Sequence, residues 1–537
     1  LREISRFRWA ALARGLPHDE QSCNVTDVTL ASLASRASGL LLHPTSLPGA
    51  HGSGDLGGGA RAFVDFLSRA KQSWWQMLPV APPGYGESPY SAQSAFAGSP
   101  WLVSLDALVE AKFLEPEAIA NLPIFPDDHS DFAKMSAHRE RLLRLAHAAF
   151  VRKENFAQLE KFAKREAHWL DDFALFRALK KAHDGAAWTK WEAPLRDRDA
   201  DALARARFDL EEEISFEKFV QWNFDSQFRA LRSYAKSKGV ALVGDIPIFV
   251  AHDSADVWQH PEHFFLDDSG EPTVVAGVPA DYFSATGQRW GNPLYRWKRL
   301  KKSGYAWWVA RFEAMLARFD AVRIDHFIGF QRYWRIPATD ATAVNGKWMK
   351  GPSSDFFSTV RRKLGALPLI AEDLGAATPA VFRLRDEFGL PGIKILQFAF
   401  GTDANADTFL PHNYSRNAVV YTGTHDNDTT VGWFHDDGAS GTRTLEQIDR
   451  ERAAALRYLG ATSGDEIHWR MIRAAMSSVA NTAIFPAQDV LGLGSDARMN
   501  RPGESSGNWS WRLQSGQLTG DLADRLALLA TTYGRSP

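Results

Sequence analysis

The chain of 537 residues contains a single cysteine, Cys23. One thiol excludes an intramolecular disulfide and any cysteine-based zinc cluster, and it fits a reducing compartment. Long apolar runs are missing too: no stretch approaches the roughly 18 residues needed to cross a bilayer. The segment 1–23 is broken by Arg2, Arg6, Arg8 and Arg14 and lacks the continuous apolar core of a signal peptide. The cytoplasm is therefore the expected location. Neither sign of charge dominates. With 62 Lys+Arg against 64 Asp+Glu the net charge is −2, which gives no reason to expect nucleic acid or an anionic membrane as partner. There is no internal repeat and no low-complexity tract, so repeat architectures are set aside. The 16 histidines form no H-E-x-x-H or comparable ligand pair, so a catalytic metal is not expected.

Short apolar runs bounded by Gly, Pro or charge are what the chain has instead. Eight of them read as buried parallel strands: 39–46, 73–80, 240–250, 321–327, 367–375, 393–400, 418–426 and 482–491. Helix-like segments such as 60–72, 305–319 and 379–389 lie between most of them. Eight such units predict an α/β fold of the (β/α)8 TIM-barrel type, although the count alone also fits an open, doubly wound sheet. The spacing is uneven. The long gap between the second and third runs exceeds any ordinary crossover, and Leu159, Phe162, Trp169, Phe173 and Phe176 recur in it at helical steps. A helical insertion at about 101–238 is predicted there, and the Gly-, Pro- and aromatic-rich stretch 263–297 reads as a structured loop insertion. Residues 1–37 read as an N-terminal extension and 38–537 as the barrel with its insertions.

Gly52, Gly54 and Gly57 match G-x-G-x-x-G, but Pro44 and Pro48 part them from their strand and 73–86 offers no acid to hold a ribose, so nucleotide binding is not expected. The stronger signal is where the acids fall. Asp245, Glu372 and Asp426 lie at or just past the apolar part of a run, as does Asp325 with Arg323 two positions before it. Any one of them could simply cap the following helix. In a barrel, however, every strand ends on the same face, where active sites are built. Residues two apart on a strand share a side, so Arg323 and Asp325 should point into the same space, a pairing that suits a carboxylate nucleophile. One carboxylate, one protonated acid and a third acid to stabilise positive charge are the requirements for breaking a glycosidic bond. Aromatic faces stack on sugar rings. Trp74, Trp75, Tyr90, Tyr282, Phe283, Trp290, Trp509 and Trp511 are candidates for this, whereas Phe162, Trp169, Phe173 and Phe176 read as core.

The phrases SGLLLHPTSLPG (38–49), ESPYS (87–91), GDIPIFVAHDSADVW (244–258), VPADYFSATGQRWGNPLY (278–295), RIDHFIGF (323–330), AEDLG (371–375) and GTHDNDT (423–429) resemble those of glycoside hydrolase family 77, in the same order. The resemblance implies a (β/α)8 barrel with a large helical insertion, lid-loop insertions and no separate C-terminal β-domain. It also implies transfer of α-1,4-glucan segments among maltooligosaccharides, without cofactor or metal. Asp325 aligns with the family's nucleophile, Glu372 with its acid/base and Asp426 with its transition-state stabiliser. Arg323 and His425 match residues around the nucleophile and the sugar, and Asp245 and His326 lie in motifs near that sugar. Asp281, Gln288 and Trp290 fall in the lid, and Tyr90 matches an aromatic near the cleft. One departure is Ala280, where the family often has a second proline. An amylase-type α-glucan hydrolase would share the three acids, and a non-catalytic glucan-binding protein would keep the aromatics; these are the alternatives.

Overall fold

Each of the eight apolar runs becomes a strand of one closed barrel. The structure is a computed structural model that describes residues 30–537 except 155, 281–283, 285, 402, 404, 439–442 and 505. In chain order its strands are β1 (Ala37–Leu41), β2 (Trp74–Gln76), β3 (Ala241–Pro247), β4 (Val274–Val278), β5 (Gln288–Pro293) and β6 (Ala321–Asp325). They continue with β7 (Arg332–Pro337), β8 (Lys347–Lys350), β9 (Leu369–Ala371), β10 (Gly392–Ile395), β11 (Ala418–Tyr421) and β12 (Thr482–Pro486). The barrel order is β1-β2-β3-β6-β9-β10-β11-β12, closing back on β1, and all its pairings are parallel. Side chains enclosed by the barrel on one face and by helices on the other are dry on both. That is why β1 and β12 are buried at every position and read as continuous apolar runs rather than alternating ones. The open doubly wound alternative is excluded by the closure.

The outer helices bury one stripe each. In helix Gly58–Arg69 the buried residues are Ala60, Phe63, Val64 and Leu67, the spacing that puts side chains on one face. Gly244 in β3 shows how closely a helix can approach. A Cβ there would lie 2.4 Å from the ring of Phe319, just past helix Ala306–Arg318. Only a glycine lets that ring pack against the strand beside Asp245. Between β2 and β3 the chain is largely helical, with long helices at Phe132–Arg152, Leu170–Ala182 and Glu211–Ser237. Phe162, Trp169, Phe173 and Phe176 are buried there, in the same hydrophobic cluster as the barrel. Trp74 and Trp75 depart from their predicted sugar-facing role: both are buried in the barrel wall, where the Trp75 indole donates to Leu42 O.

The stretch 263–297 supplies two strands rather than a loop. β4 and β5 join β7 and β8 in an antiparallel sheet ordered β5-β4-β7-β8. The sequence obscures this because β5 contains a glycine and ends on a proline, both poor strand signals. Half of the sheet also comes from 332–350, beyond the next barrel strand. Among the described residues no helix is long and apolar enough to cross a membrane.

The first strand starts at Ala37, inside the span read as an extension. Its junction with β12 is sealed by Arg535, whose side chain is fully buried. The guanidinium donates to Ala37 O at 3.0 Å, Asn481 O at 2.9 Å, Ala480 O at 2.8 Å, Ser478 O at 3.2 Å and Met476 O at 2.8 Å. Arg36 adds bonds to Ser478 O and Met476 O. Met476 and Ser478 are at the C-terminal end of helix Ile467–Ser477, where unpaired carbonyls concentrate negative potential and favour a cation. Replacing Arg535 by Met keeps much of the bulk but leaves buried carbonyls unsatisfied. The expected loss in chemical denaturation is on the order of 3 kcal/mol or more. Arg69→Met, which removes the exposed pair with Asp524, should leave the denaturation midpoint almost unchanged.

Candidate active site

The register of the barrel assembles the charged centre. β3 and β6 pair so that Asp245 faces Arg323 and Pro247 faces Asp325. Arg323 and Asp325, two apart on β6, point to the same side. One guanidinium therefore bridges both acids: Nη1 donates to Asp245 Oδ2 at 2.7 Å and Nη2 to Asp325 Oδ1 at 2.8 Å. Burial works against the charge on Arg323, but Asp245 and Asp325 outweigh it and raise its pKa well above the usual range. The Tyr90 hydroxyl donates to Asp245 Oδ2 at 2.7 Å. Burial, then the charge of Asp245, raises the Tyr90 pKa, so it stays a phenol donor. Burial pushes Asp245 up to about 7 against the pull of Arg323, and its Oδ1 is buried with no hydrogen-bond partner among the described residues.

Glu372 is set by the next pairing. Ile324 pairs with Ala371, and Glu372 N donates to Ile324 O at 3.1 Å, so the residue after β9 comes level with Asp325 at the end of β6. His326 then turns sharply, with φ of 51°, and aims its N–H at Glu372 Oε2 at 2.7 Å. Leu374 N donates to Oε1 at 3.0 Å. These backbone bonds fix the carboxyl without neutralising it. Burial raises its pKa to about 7, and the Asp325 charge adds to this against the pull of Arg323. The His326 ring is buried, which holds its pKa at about 4, and its Nε2 has no hydrogen-bond partner among the described residues.

Asp426 sits on the turn after β11. Asn500 Nδ2 donates to its Oδ1 at 2.6 Å and Arg498 Nη2 to its backbone oxygen at 2.7 Å. His425 Nε2 lies 3.4 Å from the same Oδ1, and burial lowers the His425 pKa. The root of the turn is anchored by Asp489, which is buried and accepts from the hydroxyls of Thr422 and Thr430 and from Thr430 N. Aromatic faces join this arm to the centre. The Tyr90 and His425 rings stack at 5.0 Å, and Trp509 packs on both at 5.8 and 5.9 Å.

From the lid, Trp290 stands edge-on to His326 at 4.9 Å, 38% exposed, and its indole N–H donates to Gln288 Oε1 at 3.1 Å. Asn292 ties β5 to the chain after β3 through Val250 O. Thus Asp245, Arg323, Asp325, Glu372, His326 and Tyr90 form one contact network, His425 and Asp426 join it through Tyr90, and Trp290 and Gln288 reach it through His326. Asp281, with Tyr282 and Phe283, lies outside the described residues. Trp511 is buried and bridged to His129 within the helical insertion. Arg498, Asn500 and Asp489 were missed in the sequence. Arg498 and Asn500 lie in a stretch with no apolar period or motif spacing linking it to Asp426, and Asp489, although inside the eighth apolar run, is remote from Asp426 in sequence, so proximity in space reveals all three.

A carboxyl whose folded pKa of about 7 exceeds its unfolded value stabilises the fold only while protonated, so its contribution is lost as pH rises from about 4.5 through 7. Glu372→Gln should therefore gain stability relative to the parent between pH 4 and pH 8, by an amount on the order of 2–3 kcal/mol. Unfolding midpoints at the two pH values measure it.

The sequence model of glycoside hydrolase family 77, described as 4-alpha-glucanotransferase, matches residues 42–519. The 4-alpha-glucanotransferase of Thermus thermophilus is 50% identical over 510 residues, covering 93% of this chain and 99% of that protein. That of Synechocystis sp. is 48% identical over 509 residues, covering 94% and 99%. Among solved structures, the amylomaltase from Streptococcus agalactiae in complex with acarbose superposes with a TM-score of 0.89 at 38% identity, over 94% of this chain and 100% of that one. By the extent of these matches, the chain belongs to glycoside hydrolase family 77, the 4-alpha-glucanotransferases.

Proposed function

We propose that this site transfers segments of α-1,4-glucans and maltooligosaccharides to the 4-hydroxyl of an acceptor sugar by a retaining double displacement. The observation that carries the reading is the unlike setting of two neighbouring carboxyls. Asp325 is held by Arg323, and Glu372, with no cation bonded to it among the described residues, is pushed up to about 7. Unlike environments of this kind assign a nucleophile and an acid. Asp325 attacks C1 of the donor glucose while Glu372 gives its proton to the departing 4-oxygen. The shortened glucan leaves, and a covalent β-glucosyl ester remains on Asp325. Glu372, now a carboxylate, takes the proton from the acceptor 4-hydroxyl, whose oxygen attacks C1, releases Asp325 and restores the α-1,4 bond. Asp426, positioned by Asn500, stabilises the positive charge that develops on the ring in both steps. Asp245 Oδ1 and His326 Nε2, both buried without a partner among the described residues, are left to meet sugar hydroxyls. Arg323 orients both acids of β3 and β6, and Tyr90 and His425 present a stacked face beside them.

Transfer requires a sugar to reach the ester before water does. Trp290 with Gln288 places an aromatic edge over His326, and a glucose ring covers such apolar surface better than water does. The cytoplasm is the compartment we infer, supported by the lone cysteine.

Incubation with maltotriose separates the readings. Glucose together with longer maltooligosaccharides is the expected result; glucose and maltose alone would favour the hydrolase, and no change a binding protein. Asp325→Asn and Glu372→Gln should each lower turnover by about 10²–10⁴-fold or more, and normal activity in either would overturn the assignment. Because Glu372 must start protonated, kcat/KM should fall about tenfold per pH unit above about 7. In Trp290→Ala the ratio of transfer to hydrolysis should drop several-fold, and an unchanged ratio removes the lid from the account.

A further inference from the structure

A cluster of metal-type ligands stands outside the catalytic network, at the base of the lid sheet. After β3 and the short helix Ala255–Gln259, the chain makes a 3-10 turn, Pro261–His263. Side chains three apart on a 3-10 turn eclipse one another. His260 and His263 accordingly stack, with ring centroids 4.9 Å apart and planes 20° from parallel. Glu262 reaches the same side: its Oε1 is 3.6 Å from His260 Nδ1 and 3.4 Å from His263 Nε2. One ligand atom from each residue falls within 4.8 Å of the others. Bonds of about 2.0–2.1 Å to a tetrahedral ion put neighbouring ligand atoms roughly 3.3 Å apart, so the two imidazoles need only a small turn out of their stack to share an ion with the carboxylate. His260 and Glu262 are partly open to solvent, which leaves room for water to complete the coordination. Arg299, on the neighbouring helix Trp297–Lys302, is the cation that opposes such an ion, and the Glu262 carboxylate offsets it.

We propose that His260, Glu262 and His263 form a binding site for one divalent transition-metal ion of the zinc class. Two imidazoles and one carboxylate suit such an ion, whereas Mg2+ and Ca2+ prefer oxygen alone. The placement gives the ion a structural task. His263 O accepts from Arg296 N at 2.7 Å, Phe265 N donates to Leu294 O at 3.0 Å, and Phe264 bridges Tyr295. The turn is thereby laced to the segment that directly follows β5, the strand of Gln288 and Trp290. A bound ion pins that segment to the end of the helix after β3. The H-x-E-H order escapes a search for helical ligand pairs because its period is that of a 3-10 turn.

The inference does not rest on the transferase reading and is tested without an activity assay. Metal-free protein is titrated with ZnCl2 in a calorimeter, and its thermal midpoint is followed with and without the ion. The parent should bind one more Zn2+ than His260→Ala and Glu262→Gln, or bind it at least about tenfold more tightly, and only the parent should show the corresponding rise in midpoint. Both substitutions fall at partly exposed side chains, and their midpoints without metal should equal that of the parent. Equal stoichiometry and affinity in parent and variants, or binding of Mg2+ as tight as Zn2+, would overturn the site.

Discussion

The active end of the barrel depends on one buried cation. Arg323 is enclosed among strands and is satisfied by Asp245 and Asp325. A guanidinium taken out of water without partners would be prohibitive, and two carboxylates brought this close without a cation would repel. Each group is therefore tolerable only in the presence of the others, and the β3–β6 register is what brings them together. A slip of one residue would turn Arg323 to the opposite face and leave all three charges uncompensated. The glycine that lets Phe319 lie against β3 holds that strand where Asp245 can meet its partner.

The same interaction divides labour between the acids. Arg323 has two carboxylates bound to it and no hydrogen bond to Glu372, which is left with backbone N–H groups and a desolvated pocket. Those N–H groups come from His326 and Leu374, so the acid is oriented by main chain alone. Both N–H bonds favour the ionised form and pull the pKa down against the larger effect of burial, so they hold the carboxyl most firmly in the half of the cycle in which Glu372 is a base. Asp426 is controlled from elsewhere, through Asn500, Arg498 and the Asp489 anchor. The site thus joins a rigid centre at the barrel mouth to a separately supported arm.

The barrel itself was legible because parallel strands dry on both faces leave continuous apolar runs, and all eight became strands. The acids were legible for a related reason: strand ends share a face, so polar residues that interrupt an apolar run stand out. Contacts between segments remote in sequence were not legible. Asn500 and Arg498 lie in an irregular stretch, and β7 and β8 complete a sheet begun before β6. Trp74 and Trp75 were misplaced because adjacency to a strand end says nothing about which side of the wall a side chain faces. The proposed ligands His260 and His263 are three residues apart at a 3-10 turn, a spacing that differs from the four-residue step of ligand pairs on an α-helix.

The seal made by Arg535 bears on how the molecule is made. Ala37 and Arg535 are 498 positions apart, so β1 cannot be locked to β12 until almost all of the intervening chain has been synthesised. Until then β1 has β2 on one side and an unpaired edge on the other, the kind of surface through which nascent chains associate wrongly. Barrel closure is therefore a late event of biogenesis. The interval before it is when this chain depends most on protection of its exposed strand.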